Sequence, residues 1–129
     1  MKILLVEPDY VLAKAYKSIL IDDDHDITVS SSAQDAVYNL SKQNFDLVVI
    51  EIQLAGHNGT EFIYEFRSYP EWADIPIIIL SMVPKESFSV SPSMFRDLGI
   101  IDYLYKPVTK SYQLLDAVSD ILIHDAWIK

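Results

Sequence analysis

The sequence predicts an α/β domain: a parallel sheet doubly wound with helices on both faces. Three observations carry that prediction. Short apolar runs recur along the chain, at Lys2–Val6, Phe45–Ile50 and Ile75–Leu80. Between them lie segments whose apolar residues fall at helical spacing. Past Lys2 and Asp46 near their starts the runs are continuously apolar instead of alternating, as strands covered on both faces must be.

Each element follows in order. Lys2–Val6 is the first strand and stops at the acid Glu7. A helix follows with Leu12, Ala15, Tyr16, Ile19 and Leu20 on one face. Asp22-Asp23-Asp24-His25-Asp26 reads as a solvated turn, and Ile27-Thr28-Val29 as a short second strand. Ser32 is placed to cap a second helix that turns Ala36, Val37 and Leu40 inward. Phe45–Ile50 is the third strand and ends at Glu51. Gly59 opens a third helix carrying Phe62, Ile63 and Phe66, which Pro70 stops.

The fourth strand is Ile75–Leu80, bounded by Ser81. Met82–Pro92 holds two prolines and is poor helix material, so a loop is expected there. Ser91 is a good cap, Pro92 a good first-turn residue and Gly99 a good stop. The fourth helix should therefore be short, from Pro92 to Leu98. Ile100–Tyr105 is the fifth strand, and a last helix from Ser111 to Ile123 buries Leu114, Leu115, Val118, Ile121 and Leu122. Residues 1–123 are expected to form the domain and residues 124–129 a C-terminal tail.

Bulk properties exclude several classes of function. The chain has 129 residues, enough for one domain with its own core. It has no cysteine, which removes disulfides, thiolate metal sites and cysteine catalysis. A net charge of −9 argues against gripping nucleic acid or an anionic membrane, and its plain meaning is solubility. The apolar start ends at Glu7, too short for a signal peptide or a membrane span, so a cytoplasmic location is expected. His25, His57 and His124 lack ligand spacing and are expected at the surface. With three glycines and none after the first strand, a P-loop or dinucleotide site is disfavoured, and no Ser/His/Asp set is visible. An enzyme is not expected.

Ligands of an open α/β sheet gather at the carboxyl ends of its strands. Those ends carry Glu7, Glu51, Ser81 and Lys106: two acids, a hydroxyl and an ammonium converging from four strands. With Asp46–Gly59, Ile75–Ser81 and Asp102-Tyr103-Leu104-Tyr105-Lys106-Pro107 in this order and spacing, the chain resembles the receiver domains of two-component response regulators over essentially its whole length.

The resemblance implies a flavodoxin-like (βα)5 fold with strand order 2-1-3-4-5. It also implies a site. In that family an acidic pair after strand one and a phosphoacceptor Asp after strand three hold Mg²⁺. A Ser/Thr after strand four and a Lys after strand five bind the phosphoryl oxygens, and an aromatic residue on strand five changes rotamer. Carried over, Glu7 matches the first acid and Pro8 stands at the second. Glu51 stands at the phosphoacceptor, Gln53 at the position that offers a backbone carbonyl to the metal, Ser81 at the hydroxyl, Tyr103 at the aromatic switch and Lys106 at the lysine. A cis Lys106–Pro107 peptide is often found in this loop of the family.

The two departures have physical weight. Glutamate sets its carboxylate ~1.5 Å farther out than aspartate. Phosphoryl transfer depends on position, and a displacement of about 1 Å can cost roughly a hundredfold in rate. Mg²⁺ demands near-octahedral oxygen ligands, which Pro8 cannot supply. Asp9 is a candidate replacement, although an acid in the first helical turn is already explained by the helix dipole. Glu7, Glu51 and Gln53 are left as weak Mg²⁺ ligands, and no cofactor is expected.

The expected function is a phosphorylation-independent pseudo-receiver: a protein-interaction module of bacterial two-component signalling. The alternative is a Mg²⁺-dependent phosphoacceptor of unusual geometry. Glu51 either supplies a built-in charge that Lys106 and Ser81 read as a phosphoryl group, or is a relic acid paired with Lys106. Expected partners are a histidine kinase, a downstream protein or a linked effector domain. A homodimer is expected through the fourth helix, fifth strand and fifth helix, where Arg96, Asp97, Asp102, Lys110 and Tyr112 are candidate contacts. A flavin or nucleotide protein ranks last, for want of a phosphate loop.

Overall fold

Leu47-Val48-Val49-Ile50 has no polar face, and the fold gives it none to show. This segment is β3 (Leu47–Ile50), the central strand of a five-stranded parallel sheet. The others are β1 (Lys2–Val6), β2 (Asp26–Ser30), β4 (Ile77–Ser81) and β5 (Ile100–Tyr105), in the order β2-β1-β3-β4-β5. The helices are α1 (Tyr10–Ile21), α2 (Ala33–Lys42), α3 (Gly59–Ser68), α4 (Pro92–Asp97) and α5 (Ser111–Ile128). The computed structural model describes residues 1–21, 23–54, 57–88 and 91–128, with backbone alone for 57–58 and 122–128. Expectations for Asp22, Ser89, Val90 and Lys129, and for the side chains of His57, Leu122 and His124, lie outside the described residues.

Alternation along each strand sorts the core into two layers. Leu4, Val6, Val48, Ile50, Ile77 and Ile79 face Ala36 and Leu40 of α2 and Phe62, Ile63 and Phe66 of α3. Ile3, Leu5, Leu47, Val49, Ile78 and Leu80 face Leu20 of α1 and Leu114, Val118 and Ile121 of α5. The doubly wound fold and its strand order are as expected. No helix among the described residues is long and apolar enough to cross a membrane.

Local signals act where they were placed. Ser32 accepts the Asp35 amide at 3.1 Å and caps α2, and Ser91 accepts the Met94 amide at 3.3 Å at the head of α4. Gly99 ends that helix at a φ of +68°, where a side chain is disfavoured. Met82–Pro92 is not wholly irregular, since Lys85–Ser87 makes one 3₁₀ turn.

Three expectations are corrected, and one irregularity is added. In α1 it is Ala13, not Ala15, that is buried, because the inward stripe passes through Ala13, Tyr16 and Leu20. α5 continues through Ile128, so residues 124–128 extend the helix. A register shift opposite Ile77 and Ile78 bulges β5, which leaves Ile101 half-exposed. His25 is buried: β1 and β2 start side by side, with Lys2 opposite Asp26, and the Met1 amino group lies 3.0 Å from His25 Nδ1.

One anchor went unread in the sequence. The Arg67 guanidinium donates to the carbonyls of Leu98 (2.6 Å), Trp72 (2.7 Å), Ala73 (3.0 Å) and Ile75. It ties the end of α3 to the segments that lead into β4 and β5. A Cβ on Gly99 would lie 2.5 Å from Arg67 Nη2, so glycine is needed there for space as well as for φ.

Candidate functional site

Parallel strands end at one edge of the sheet, and four of those ends supply the site. Glu7 follows β1, Glu51 follows β3, Ser81 closes β4 and Lys106 follows β5. Glu7, Glu51 and Ser81 are buried, and the Lys106 side chain is nearly so. The turn after Glu51 is held by Gly59, whose amide donates to the Ile52 carbonyl at 2.9 Å. A Cβ on Gly59 would sit 2.3 Å from Ile52 Cα, so only glycine allows this approach.

The Glu51 carboxylate has two donors on each oxygen. Oε1 accepts from Lys106 Nζ at 2.7 Å and from the Met82 amide at 3.0 Å. Oε2 accepts from the Gln53 amide at 3.0 Å and from the Ser81 hydroxyl. Lys106 Nζ also lies 2.6 Å from Glu7 Oε1, so a single ammonium joins two buried carboxylates. The other Glu7 oxygen accepts the Asp9 amide at 3.0 Å.

A second set of bonds leads away from the site. Ser81 Oγ accepts the Val83 amide at 3.0 Å, and the Val83 carbonyl accepts the Tyr103 hydroxyl. The Tyr103 ring packs 5.8 Å from that of Phe88 and 6.3 Å from that of Phe95 on α4. Glu51 is thus connected to α4 through consecutive contacts.

The electrostatics follow from this wiring. Burial alone would push Glu51 up, but bonds from Lys106, Ser81 and the amides of Gln53 and Met82 outweigh it and hold its carboxyl below the usual range. Burial alone would push Lys106 down, yet its bonds to Glu51 and Glu7 hold it above the ordinary lysine value. Tyr103 is pushed up to about 12, first by burial and then by the Glu51 charge.

The structure brings Glu7, Glu51, Ser81 and Lys106 into one network and sets Tyr103 at its outer end. Asp9 has a different position: it is exposed, and its Oδ1 accepts the Leu12 amide at 3.0 Å, which makes it the cap of α1. Gln53 exposes its side chain and contributes its amide to Glu51. The Lys106–Pro107 peptide is trans, without the cis bond often found in this loop of the family. Sequence reasoning missed the amides of Gln53 and Met82 and the carbonyl of Val83, since backbone groups carry no residue signature. Phe88 had a signal, a lone large apolar residue inside the polar loop.

The model of the response regulator receiver domain family matches residues 3–119. The chain belongs to that family. It is 27% identical over 124 residues to a probable transcriptional regulator, ycf29, of Pyropia yezoensis, covering 96% of this chain and 54% of that protein. It is 31% identical over 107 residues to the transcriptional regulatory protein MalR of Bacillus subtilis, covering 81% of this chain and 43% of MalR. The chain thus spans about half the length of these curated relatives. Among solved structures, a CheY-like receiver domain protein of Methanospirillum hungatei superposes with a TM-score of 0.84 at 19% identity, over 99% of this chain and 98% of that one. The chemotaxis response regulator CheY4 of Vibrio cholerae gives 0.80 at 18% identity, over 93% and 97%. These likenesses show the fold.

The residues of this receiver domain do not fit the metal that the family implies. Pro8 has no side-chain oxygen, both Glu51 oxygens are taken, and an ammonium lies between the two acids. Among the described residues no three His, Cys, Asp or Glu side chains group as a metal site.

Proposed function

We propose that this receiver domain is a phosphorylation-independent interaction module of bacterial two-component signalling, with Glu51 as a permanent acid at the acceptor position. One observation carries the reading: each Glu51 oxygen already accepts two hydrogen bonds inside the protein. A carboxylate that attacks a phosphodonor has to turn a free lone pair in line with the leaving group. Here the lone pairs point at Lys106, Ser81 and two amides.

The same bonds favour a working charge over a relic. Ser81 and Lys106, which bind phosphoryl oxygens in receivers, bind the Glu51 carboxylate instead. From Ser81 the contacts run on to Val83 and Tyr103 beside α4. Glu51 therefore holds α4 and β5 in one arrangement without a phosphate. The output is protein contact through α4, β5 and α5, where Arg96, Asp97, Asp102, Lys110 and Tyr112 are exposed. The partner is a histidine kinase, a downstream signalling protein, an attached effector domain or a second copy of this face. The net charge of −9 speaks against DNA contact by this domain itself.

The test is incubation with a small phosphodonor and Mg²⁺ followed by intact mass spectrometry. No mass gain is expected. A stoichiometric gain of one phosphoryl group, lost in Glu51→Gln, overturns the reading in favour of a phosphoacceptor of unusual geometry. Pro8→Asp combined with Glu51→Asp is expected to restore phosphorylation.

A further inference from the structure

We infer that Lys106 is the resident cation of this site: its ammonium fills the place between Glu7 and Glu51 that a divalent metal would take, and the wild-type domain excludes such ions. Nζ lies 2.6 Å from Glu7 Oε1 and 2.7 Å from Glu51 Oε1, short charge-assisted contacts to both acids at once. Glu7 and Glu51 are only 2% and 3% exposed, so neither charge is met by bulk water. An unpaired buried charge is costly, and in this site Lys106 is the cation that touches both acids and offsets one of their two charges.

The backbone pre-positions that ammonium. Lys106–Val108 forms a 3₁₀ turn directly after β5, and Pro107 fixes its first step. The Thr109 amide donates to the Lys106 carbonyl at 3.2 Å, and its hydroxyl to the Tyr105 carbonyl at 2.7 Å. The lysine is therefore launched toward the acids from a braced turn.

A metal ion entering this pocket would meet three obstacles. It would have to displace an ammonium that has no other acid within the network. It would have to share Glu51 Oε1 with the Met82 amide, since Oε2 is held by the Gln53 amide and the Ser81 hydroxyl. It would also find no oxygen on Pro8 to fill out an octahedron. Removal of the ammonium reverses the balance. Two buried carboxylates then face each other without a counter-charge, and a divalent ion becomes the simplest way to neutralise them.

The inference concerns the same site as the proposed function and shares its view of Glu51. Its readout is metal occupancy without any phosphodonor, so either can fail alone. The experiment measures thermal unfolding of wild type, Lys106→Ala, Lys106→Gln and Lys106→Arg in chelator and in ~10 mM Mg²⁺ or Mn²⁺, with Mn²⁺ binding followed by calorimetry. Wild type and Lys106→Arg should show no saturable binding and a Tm unchanged within about 1 °C. Lys106→Ala or Lys106→Gln should unfold earlier in chelator and regain several degrees, roughly 5 °C, with metal. Saturable Mn²⁺ binding by wild type overturns the inference even if no variant folds. Folded Lys106→Ala and Lys106→Gln proteins that ignore both metals overturn it as well.

Discussion

The Tyr103 hydroxyl donates to the carbonyl of Val83, two residues beyond Ser81 in the chain. That bond closes a path. Glu51 takes the Ser81 hydroxyl and the Met82 amide, Ser81 Oγ takes the Val83 amide, and Val83 receives Tyr103. Three consecutive residues at the end of β4 are pinned to the acid on one side and to β5 on the other. Phe88 and Phe95 rest on the Tyr103 ring, 5.5 Å apart and edge to face. Consecutive local contacts thus run from the Glu51 carboxylate to the rings beside α4.

Replacing Glu51 should loosen that path before it unfolds the domain. Glu51→Ala leaves Lys106 with Glu7 alone and orphans the Met82 and Gln53 amides. A loss of about 3 kcal/mol is expected, since unsatisfied buried donors cost more than a hydrogen bond contributes. Urea unfolding measures the loss. Hydrogen exchange should show the amides of Met82 and Val83 exchanging faster, while those of β1 and β3 stay protected. Uniform acceleration across the sheet would mean that Glu51 only stabilises.

Acid should remove the same contribution. Glu51 titrates below its ordinary value of 4.5 in the folded state, so the unfolded chain binds the proton first as pH falls. The stabilisation is complete above about pH 4.5 and is lost as pH drops through the lowered folded value. Urea midpoints of wild type should fall steeply below pH 4.5. Glu51→Gln, which has no proton to take up, should fall less steeply over the same window.

His25 sets a second window at higher pH. Its buried ring accepts from the Met1 amino group at Nδ1, which places its proton on Nε2, 3.5 Å from Asp23. Burial, and then the Met1 charge, hold it below its ordinary value of 6.5 although Asp23 and Asp24 pull the other way. A lowered folded value means stability that is complete above pH 6.5 and is lost as pH falls through the folded value. His25→Gln should flatten the decline between pH 7 and 5 without touching the steeper fall below.

The Arg67 clamp should be intolerant even of lysine. Four carbonyls on two segments need a planar fork, and an ammonium cannot span them. Arg67→Ala is expected to cost about 3 kcal/mol and Arg67→Lys about 2 kcal/mol. Gly99→Ala should cost more than about 1 kcal/mol through its positive φ and its crowding of the same guanidinium. Because both act on one clamp, the double variant should lose less than the sum in chemical denaturation.

How much of this was legible depends on what wrote it. Strands β1, β3 and β4 are apolar on both faces, and that pattern alone fixes a covered parallel sheet. The site acids and Lys106 could be placed because strand ends in such a sheet share an edge. Ala13 was missed because alanine at neighbouring positions carries almost no hydrophobic bias to separate one stripe from the next. His25 was missed because its burial comes from the start of a neighbouring strand, a tertiary fact without a local mark. Arg67 reads as an ordinary surface base until the two carbonyl-bearing segments are brought around it. The donors to Glu51 were half hidden for the same reason: Ser81 and Lys106 are residue types, while the Met82 and Gln53 amides are geometry.

The sharpest test of the path is a double-mutant cycle between its ends. Tyr103→Phe keeps the ring against Phe88 and Phe95 and removes only the bond to Val83, so it should cost about 1 kcal/mol. Ser81→Ala removes the bonds to Glu51 and to the Val83 amide, at a cost of about 2 kcal/mol. Tyr103 and Ser81 share Val83 as a partner, and residues that share a partner couple. If the segment moves as one, the double variant should fall short of the sum by at least about 0.5 kcal/mol in urea unfolding. Additive losses would mean that Val83 is held by two independent bonds and that Glu51 does not reach α4. The phenol supplies a second readout, since Tyr103 is raised to about 12 partly by the Glu51 charge. Glu51→Gln should lower the pH at which the Tyr103 phenol ionises in ultraviolet titration, the step being assigned by its loss in Tyr103→Phe.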